Sequence, residues 1–502
     1  MGEKNYWRQL FRESMSRRKL LRGAAGVGLG AVSPDTHQDS TIVGHFVQDM
    51  IYDGLTTRDR SLKLVPGLAL SWKAVDDLTW EFKLREGVKF HNGEEFNADV
   101  VRFNVERQQD VNFKPRYLSD FKNINKIQAV DAYTVRLSSS QPDPILPLRF
   151  AQSLIVPLKY IKEKGNAIMG TAPVGTGPYK FIKWVKDDYI ELEANSGYWG
   201  GPPPIKKITI KPIPQAESRM GALKTGAVDY IYGVPEDLAK GLENEPGLGV
   251  KVSGAASCAH IAVSFWAKDS PLQDKRVRQA IRYAIDVDTI IKTILSGYGM
   301  SMPTVIQPTY FGYDSSLKPY PFDPKKAREL LAAAGFSKGI DVTLHDPLPS
   351  YTKDKEMTEA VAGYLNEVGV RAKIQRYGEG STVVFGKWKT EGKGPEGLLR
   401  TARGHASLDA DAILSQSIHS KGDINFGAYA NPEVDRLIEK GRSTVQPADR
   451  EKVYRDLMKA LYDDNPWIFQ VQVMDIFAFN KKKLKNVYPR LWVAHAQDVD
   501  LA

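Results

Sequence analysis

Cysteine is all but missing from this chain of 502 residues. The single thiol, Cys258, excludes an internal disulfide and with it the small disulfide-stapled folds. Histidine is scarce as well, eight residues placed singly, which leaves little material for a histidine-rich metal centre. No apolar run reaches the ~18 residues that a membrane-spanning helix needs. Charge of one sign is not concentrated either: 69 Lys and Arg against 60 Asp and Glu leave +9, with both signs interspersed. The dense basic runs are Arg17-Arg18-Lys19 and Lys481-Lys482-Lys483, so the basic face of a nucleic-acid binder is not written here. His-Glu-x-x-His and Cys-x-x-Cys are absent, which removes common metalloenzyme and dithiol signatures. What is present is 42% apolar and 26% charged, an ordinary globular mixture. At roughly 150 residues per domain, the length predicts about three domains or lobes.

The N-terminus reads as an address. Ser16-Arg17-Arg18-Lys19-Leu20-Leu21-Arg22 precedes ten small or apolar residues, Gly23 to Val32. A charged region followed by a short, weakly hydrophobic one is the layout of an export signal, and adjacent arginines before Leu-Leu resemble the twin-arginine type. Residues 1–34 are therefore expected to be an export signal and the mature protein to be periplasmic.

Periodicity places elements beyond residue 40. Trp80, Phe82 and Leu84 alternate with polar neighbours, as do Val135 and Leu137, and later Ile190 with Leu192 and Ile208 with Ile210; each predicts a half-buried strand. Asp274 is placed to cap a helix whose Val277, Ala280, Ile281 and Ala284 share one face. Asp323-Pro324 predicts an N-cap with proline at the first helical position, and Gly335 a stop. Pro447 opens a further helix. Strands and helices interleave without a repeat, so the fold class is mixed α/β in several lobes.

Several segments, taken in order, resemble the family 5, peptide- and nickel-type, extracytoplasmic solute-binding proteins of ABC importers. They are residues 79–93 (Thr-Trp-Glu-Phe-Lys-Leu through Phe-His-Asn-Gly), Gly175-Thr176-Gly177-Pro178-Tyr179, and Asn195-Ser196-Gly197-Tyr198-Trp199 with Gly-Gly-Pro after it. Lys224-Thr225-Gly226-Ala227-Val228-Asp229, residues 274–280, Ala284-Ile285-Asp286, Asp323-Pro324 and Ala333-Ala334-Gly335-Phe336 follow. The resemblance implies a two-lobed periplasmic-binding-protein fold of type II. In it, 35–55, 175–262 and 480–502 form the first lobe, 56–174 a subdomain inserted in it, and 263–479 the second lobe. A strand that the family carries before the Asp-x-His segment is missing at Ala31 to His37. Glycines 175 and 177 are expected to supply unusual φ values at a tight crossing, and Arg276 and Arg278 to form surface ion pairs.

By the same resemblance the chain is a binder, not an enzyme, needs no cofactor, acts as a monomer, and hands a peptide or peptide-like solute to membrane permease subunits. The family's amine-binding aspartate has no clear counterpart in residues 400–411, where Ala406 or Ser407 stands instead. Candidate ligand contacts are Arg403, whose guanidinium suits a carboxylate, and Asp409, with Trp388, His260, Phe265 and Phe46 at positions expected to face the cleft. Two other readings stay open: capture of a metal chelate or another carboxylate-bearing or cationic solute, and, from a different class, a hydrolase. His405, Asp409 and Asp411 have a spacing that a metal ion would accept.

Overall fold

The computed structural model describes residues 35–38, 42–254, 258–349, 353–490, 493–494, 496 and 499–502. The expected export signal lies at residues 1–34, outside the described residues, and the expected gap at Ala31 to His37 falls partly among them. Asp35 to Gln38 form a turn locked to the body of the protein: Arg107 reaches the Asp35 carboxylate at 2.7 Å and His37 bonds the carbonyl of Leu154 at 2.8 Å.

Two groups of sheets, each with its own apolar core, divide the chain. One core draws its buried residues from Ala259 to Val473. Its sheet has six strands in the order Gly299–Ser301, Trp467–Val473, Cys258–Ser264, Gly397–Arg403, Ile340–Asp346, Val370–Arg376. The last strand pairs parallel with its neighbour and the central strands pair antiparallel. Every residue of Cys258–Ser264 and of Trp467–Val473 is buried, as strands covered on both faces require. Residues 258–262, expected at the end of the first lobe, therefore belong to the second lobe's central strand. Likewise Asp475–Asn480, expected to be mostly second-lobe, pairs with Tyr230–Tyr232 and Leu248–Ser253 in the first lobe. The changeovers fall between Ser253 and Cys258 and at Met474, because a strand buried between two partners cannot leave its sheet halfway.

The remaining sheets belong to the first lobe and to the four-stranded antiparallel sheet at residues 69–139, whose order is Ala69–Asp76, Thr79–Leu84, Thr134–Ser139, Ile124–Asp131. Helix Ala98–Gln109 covers that sheet, capped by the Asn97 side chain accepting from the amides of Asp99 and Val100. Phe82, Leu84, Val101, Val105, Val135 and Leu137 fill a separate core between them.

The glycine-rich motifs meet at one half-buried carboxylate. Asp53 accepts hydrogen bonds from Thr176 Oγ1 (2.9 Å), Tyr198 Oη (2.9 Å) and Trp199 Nε1 (2.8 Å), tying the first helix, the Gly-Thr-Gly-Pro loop and the Gly-Tyr-Trp turn together. Gly175 and Gly177 do not take positive φ here. A Cβ at Gly175 would lie 2.0 Å from the carbonyl oxygen of Ile51, and at Gly177 2.6 Å from its carbonyl carbon, so the motif needs glycine for close backbone approach. The arginines also differ from expectation. Arg276 stays exposed and pairs with Asp274 at 2.6 Å, but Arg278 is buried and bonds Asp464 and the carbonyls of Leu272 and Gln273. It turns inward because two helix ends present orphan carbonyls there.

His91 completes the junction. Its Nε2 bonds the Gly177 carbonyl at 3.0 Å, while its Nδ1 accepts from the amide of Gly175 at 3.4 Å, a pattern that only the neutral ring can make. Burial lowers its pKa from 6.5 to about 4. The unfolded chain takes up the proton near 6.5 and the folded one only near 4, so between these values the unfolded state carries more protons and acid favours it. At 1.36 kcal/mol for each tenfold change in proton affinity, this group withdraws about 3 kcal/mol between pH 6.5 and pH 4. Urea melts across that range should show a steeper loss of stability for the wild type than for His91→Gln; parallel profiles would contradict the assignment.

Candidate functional site

Three neighbouring strands of the second lobe build the site. Register sets Cys258 opposite Arg403 and His260 opposite Thr401, so alternation brings Arg403, Thr401 and His260 to one face. Trp467, from the strand on the other side, stacks on the imidazole with centroids 3.5 Å apart and planes 13° from parallel. Ser417, Asn425, Phe426 and Tyr429 close over this face and leave a cavity of about 20 Å³. Arg403 donates from Nε to Ser417 Oγ at 3.1 Å and lies 5.4 Å from the centre of the Phe426 ring.

Polar groups short of hydrogen bonds line this cavity: Thr401 Oγ1 has no protein partner, and the His260 ring bonds the Cys258 backbone and leaves its other nitrogen unmet. Both residues are deeply buried, 5% and 1% exposed, so these atoms need a water or a ligand atom as partner. A cavity of this size has room for at least one water. Burial, reinforced by the positive charge of Arg403, holds the His260 imidazole far below its ordinary value and hence neutral. Burial likewise pushes the Cys258 thiol up to about 12, which removes it as a nucleophile.

The opposite face of the same strands is structural. Arg400 is buried there between Asp346 and Asp354, the latter at 2.7 Å. Beyond Arg403 the chain forms a loop fastened from several sides. Tyr310 Oη donates to the His405 carbonyl at 2.9 Å, His405 Nδ1 meets Ser407 Oγ at 2.8 Å, and Arg58 crosses from the other group of sheets to bond the Ser407 carbonyl. His405 also feels Asp120 and the guanidinium groups of Arg149 and Arg116, although burial does most to lower its pKa.

Of the sequence candidates, the fold brings His260 and Arg403 to one cavity. Asp409 is held elsewhere: it is 1% exposed, caps the short helix Ala410–Ile413, and has both oxygens on Arg450 at 2.6 and 2.7 Å. Its carboxylate is committed to that arginine. Asp411 pairs with Arg442 at 3.2 Å, and burial pushes its carboxyl up to about 6. Among the described residues no group of three metal-ligating side chains converges. Trp388, on helix Ser381–Glu391, packs edge-on to His345 at 5.2 Å and against Phe385 at 5.1 Å. Phe265 is buried against Tyr429 at 5.3 Å, and Phe46 stacks on Tyr230 in the first lobe at 6.3 Å. Sequence reading missed Thr401, Ser417, Trp467 and Arg58. Thr401 alone carried a signal, standing two residues before Arg403 on the same strand face.

Two lobes with separate cores, joined by paired strands, and a polar cavity near that join describe the class of proteins that bind a solute between hinged halves. Comparison with known sequences gives the family. The profile of the bacterial extracellular solute-binding proteins, family 5 middle region, matches residues 63–425. The chain belongs to this family of transport-associated binding proteins. The glutathione-binding protein GsiB of Pectobacterium atrosepticum is 31% identical over 474 residues, covering 92% of this chain and 90% of that one. Among solved structures, the periplasmic binding protein DppA of Helicobacter pylori in complex with the peptide STSA superposes with a TM-score of 0.75 at 26% identity, covering 95% and 96% of the two chains. HbpA2 of Haemophilus parasuis, at 21% identity, shares the fold with a TM-score of 0.83 and coverage of 96% and 98%.

The Asp409 geometry has a direct test. Removing one partner of a buried ion pair strands the other charge, at a cost of about 3–5 kcal/mol. Asp409→Ala should therefore lower the urea midpoint strongly, while the remaining folded protein binds ligand as the wild type does. A variant of unchanged stability that loses ligand affinity would make Asp409 a ligand contact instead.

Proposed function

We propose that this protein is the substrate-binding component of an ABC importer, working on the outer side of the cytoplasmic membrane and exported by the twin-arginine route. It captures a peptide or peptide-like solute between its lobes, closes on it, and presents it to permease subunits as a monomer. Residues 56–174 act in this reading as a subdomain carried by the first lobe. No bond is made or broken, and no cofactor takes part.

The observation that carries the reading is the join between lobes. Ser253 pairs with Asp475 on one side of the changeover and Cys258 with Gln472 on the other, so two antiparallel strands run between two bodies that have separate cores. Bodies linked in this way rotate with little internal repacking, and a ligand touching both favours the closed arrangement. Membership of the family supports it, as do relatives named for glutathione and for a bound tetrapeptide. Arg403 stands at the hinge end of its strand, opposite Cys258, and its planar guanidinium suits the carboxylate that such ligands carry.

A thermal-shift panel of di- to pentapeptides including Ser-Thr-Ser-Ala, reduced glutathione and a nickel–histidine chelate tests the solute class. A true ligand at a hundred times its Kd should add about 2.7 kcal/mol to stability. Arg403→Gln should then weaken a carboxylate-bearing ligand about 10- to 100-fold, the worth of one charged hydrogen bond. If only the chelate shifts the melt, the peptide reading fails; if a peptide binds Arg403→Gln unchanged, the role of Arg403 fails.

A further inference from the structure

Two side chains of the second lobe reach across to the first beside the crossing strands, and both land on one helix. Tyr298 lies in the turn before the edge strand Gly299–Ser301, whose Gly299 pairs with Val473, one residue before the changeover at Met474. Its ring packs against a first-lobe core that includes Leu242, Leu248 and Ile476. Its hydroxyl donates to Glu243 Oε1 at 2.9 Å. Lys353, immediately before helix Asp354–Glu367, pairs with Asp237 Oδ2 at 3.0 Å. Asp237 and Glu243 stand near opposite ends of helix Glu236–Glu243, which rests on the first-lobe strand Leu248–Ser253.

We propose that helix Glu236–Glu243, gripped at one end by Lys353 and at the other by Tyr298, is a non-covalent tie between the lobes, additional to the Arg58 bond to Ser407, that sets the angle at which the hinge rests. Two antiparallel strands lying side by side fix the axis of a hinge and leave rotation about it soft. Contacts placed to the side of that axis resist rotation, because turning must lengthen one of them. The half-exposed ion pair adds little binding energy of its own. The partly buried tyrosine ring, packed on the first-lobe core, supplies the stiffness, and the two polar contacts fix where along the helix the second lobe sits. This proposal rests on the hinge reading for its consequence, but its test needs no ligand.

Spin labels at exposed Lys211→Cys and Lys325→Cys report the distance between lobes, and Cys258, fully buried, does not compete for the label. In the ligand-free protein, Tyr298→Ala combined with Asp237→Asn should broaden the distance distribution and move its mean. Tyr298→Phe with Asp237→Asn keeps the ring and removes both polar contacts, so it should shift the mean with less broadening; it also serves if the first pair impairs folding. Distributions identical to the parent in a variant that remains folded would overturn the proposal. Adding reduced glutathione to the labelled parent reads closure separately. A parent that does not respond counts against glutathione as a closing ligand and leaves the tie standing.

Discussion

Two strands lying side by side carry the chain out of one lobe and back again, and the rest of the molecule is arranged around that constraint. Their pairing continues on both sides of the changeover, Ser253 with Asp475 and Cys258 with Gln472. A hinge of this kind absorbs rotation in a few φ and ψ angles, provided that each body is stiff and that the apolar core is not shared. The buried clusters meet the second condition: the large one draws on residues 259–473, and the others draw on residues up to 248 and from 476 onward.

Stiffness inside each body comes largely from buried or half-buried charges held by several partners. Asp53 gathers three donors at the meeting of the glycine-rich motifs, Asp35 grips Arg107, Arg400 is enclosed by two aspartates, and Asp409 holds Arg450. Such groups add less net stability than their number suggests, because desolvation offsets much of the attraction; they do fix one geometry, since a shift of either partner leaves a charge bare. Elsewhere some buried polar atoms find no hydrogen bond, those of Gln307 and Trp184 among them, and the cavity under Trp467 gathers such atoms at one place. There the hydroxyl of Thr401 and one ring nitrogen of His260 find no protein partner, and they lie beside Arg403 near the hinge. Most of the protein's polar interior supports its own shape. This corner has hydrogen-bonding capacity left over.

Local chemistry was legible in the sequence wherever an element is specified by its own residues. The strand Thr79–Leu84, the Asp274 and Asp323 caps and the helix opened by Pro447 follow from alternation, side-chain capping and proline geometry. What needed the fold was everything decided by partners distant along the chain. Nothing near Asp409 announces Arg450, forty-one positions later, and an aspartate beside a candidate site reads equally well as ligand or as cap. Cys258–Ser264 looks like a strand of either lobe until its two neighbours are known. Gly175 and Gly177 were recognisable as necessary, but the cause is the carbonyl of Ile51 lying against them, which no local rule supplies. The site shows the same division: Arg403 and His260 were visible as chemistry-bearing residues, while the roof over them, Ser417 with Phe426 and Tyr429, comes from a segment with no pattern of its own.

Small-angle scattering, with and without whichever compound raises the melting temperature, is the most direct test of hinged capture. The account expects a smaller radius of gyration and a changed pair-distance profile on saturation, with each lobe's own dimensions preserved. Superimposable curves in the presence of a ligand shown to bind tightly would contradict it.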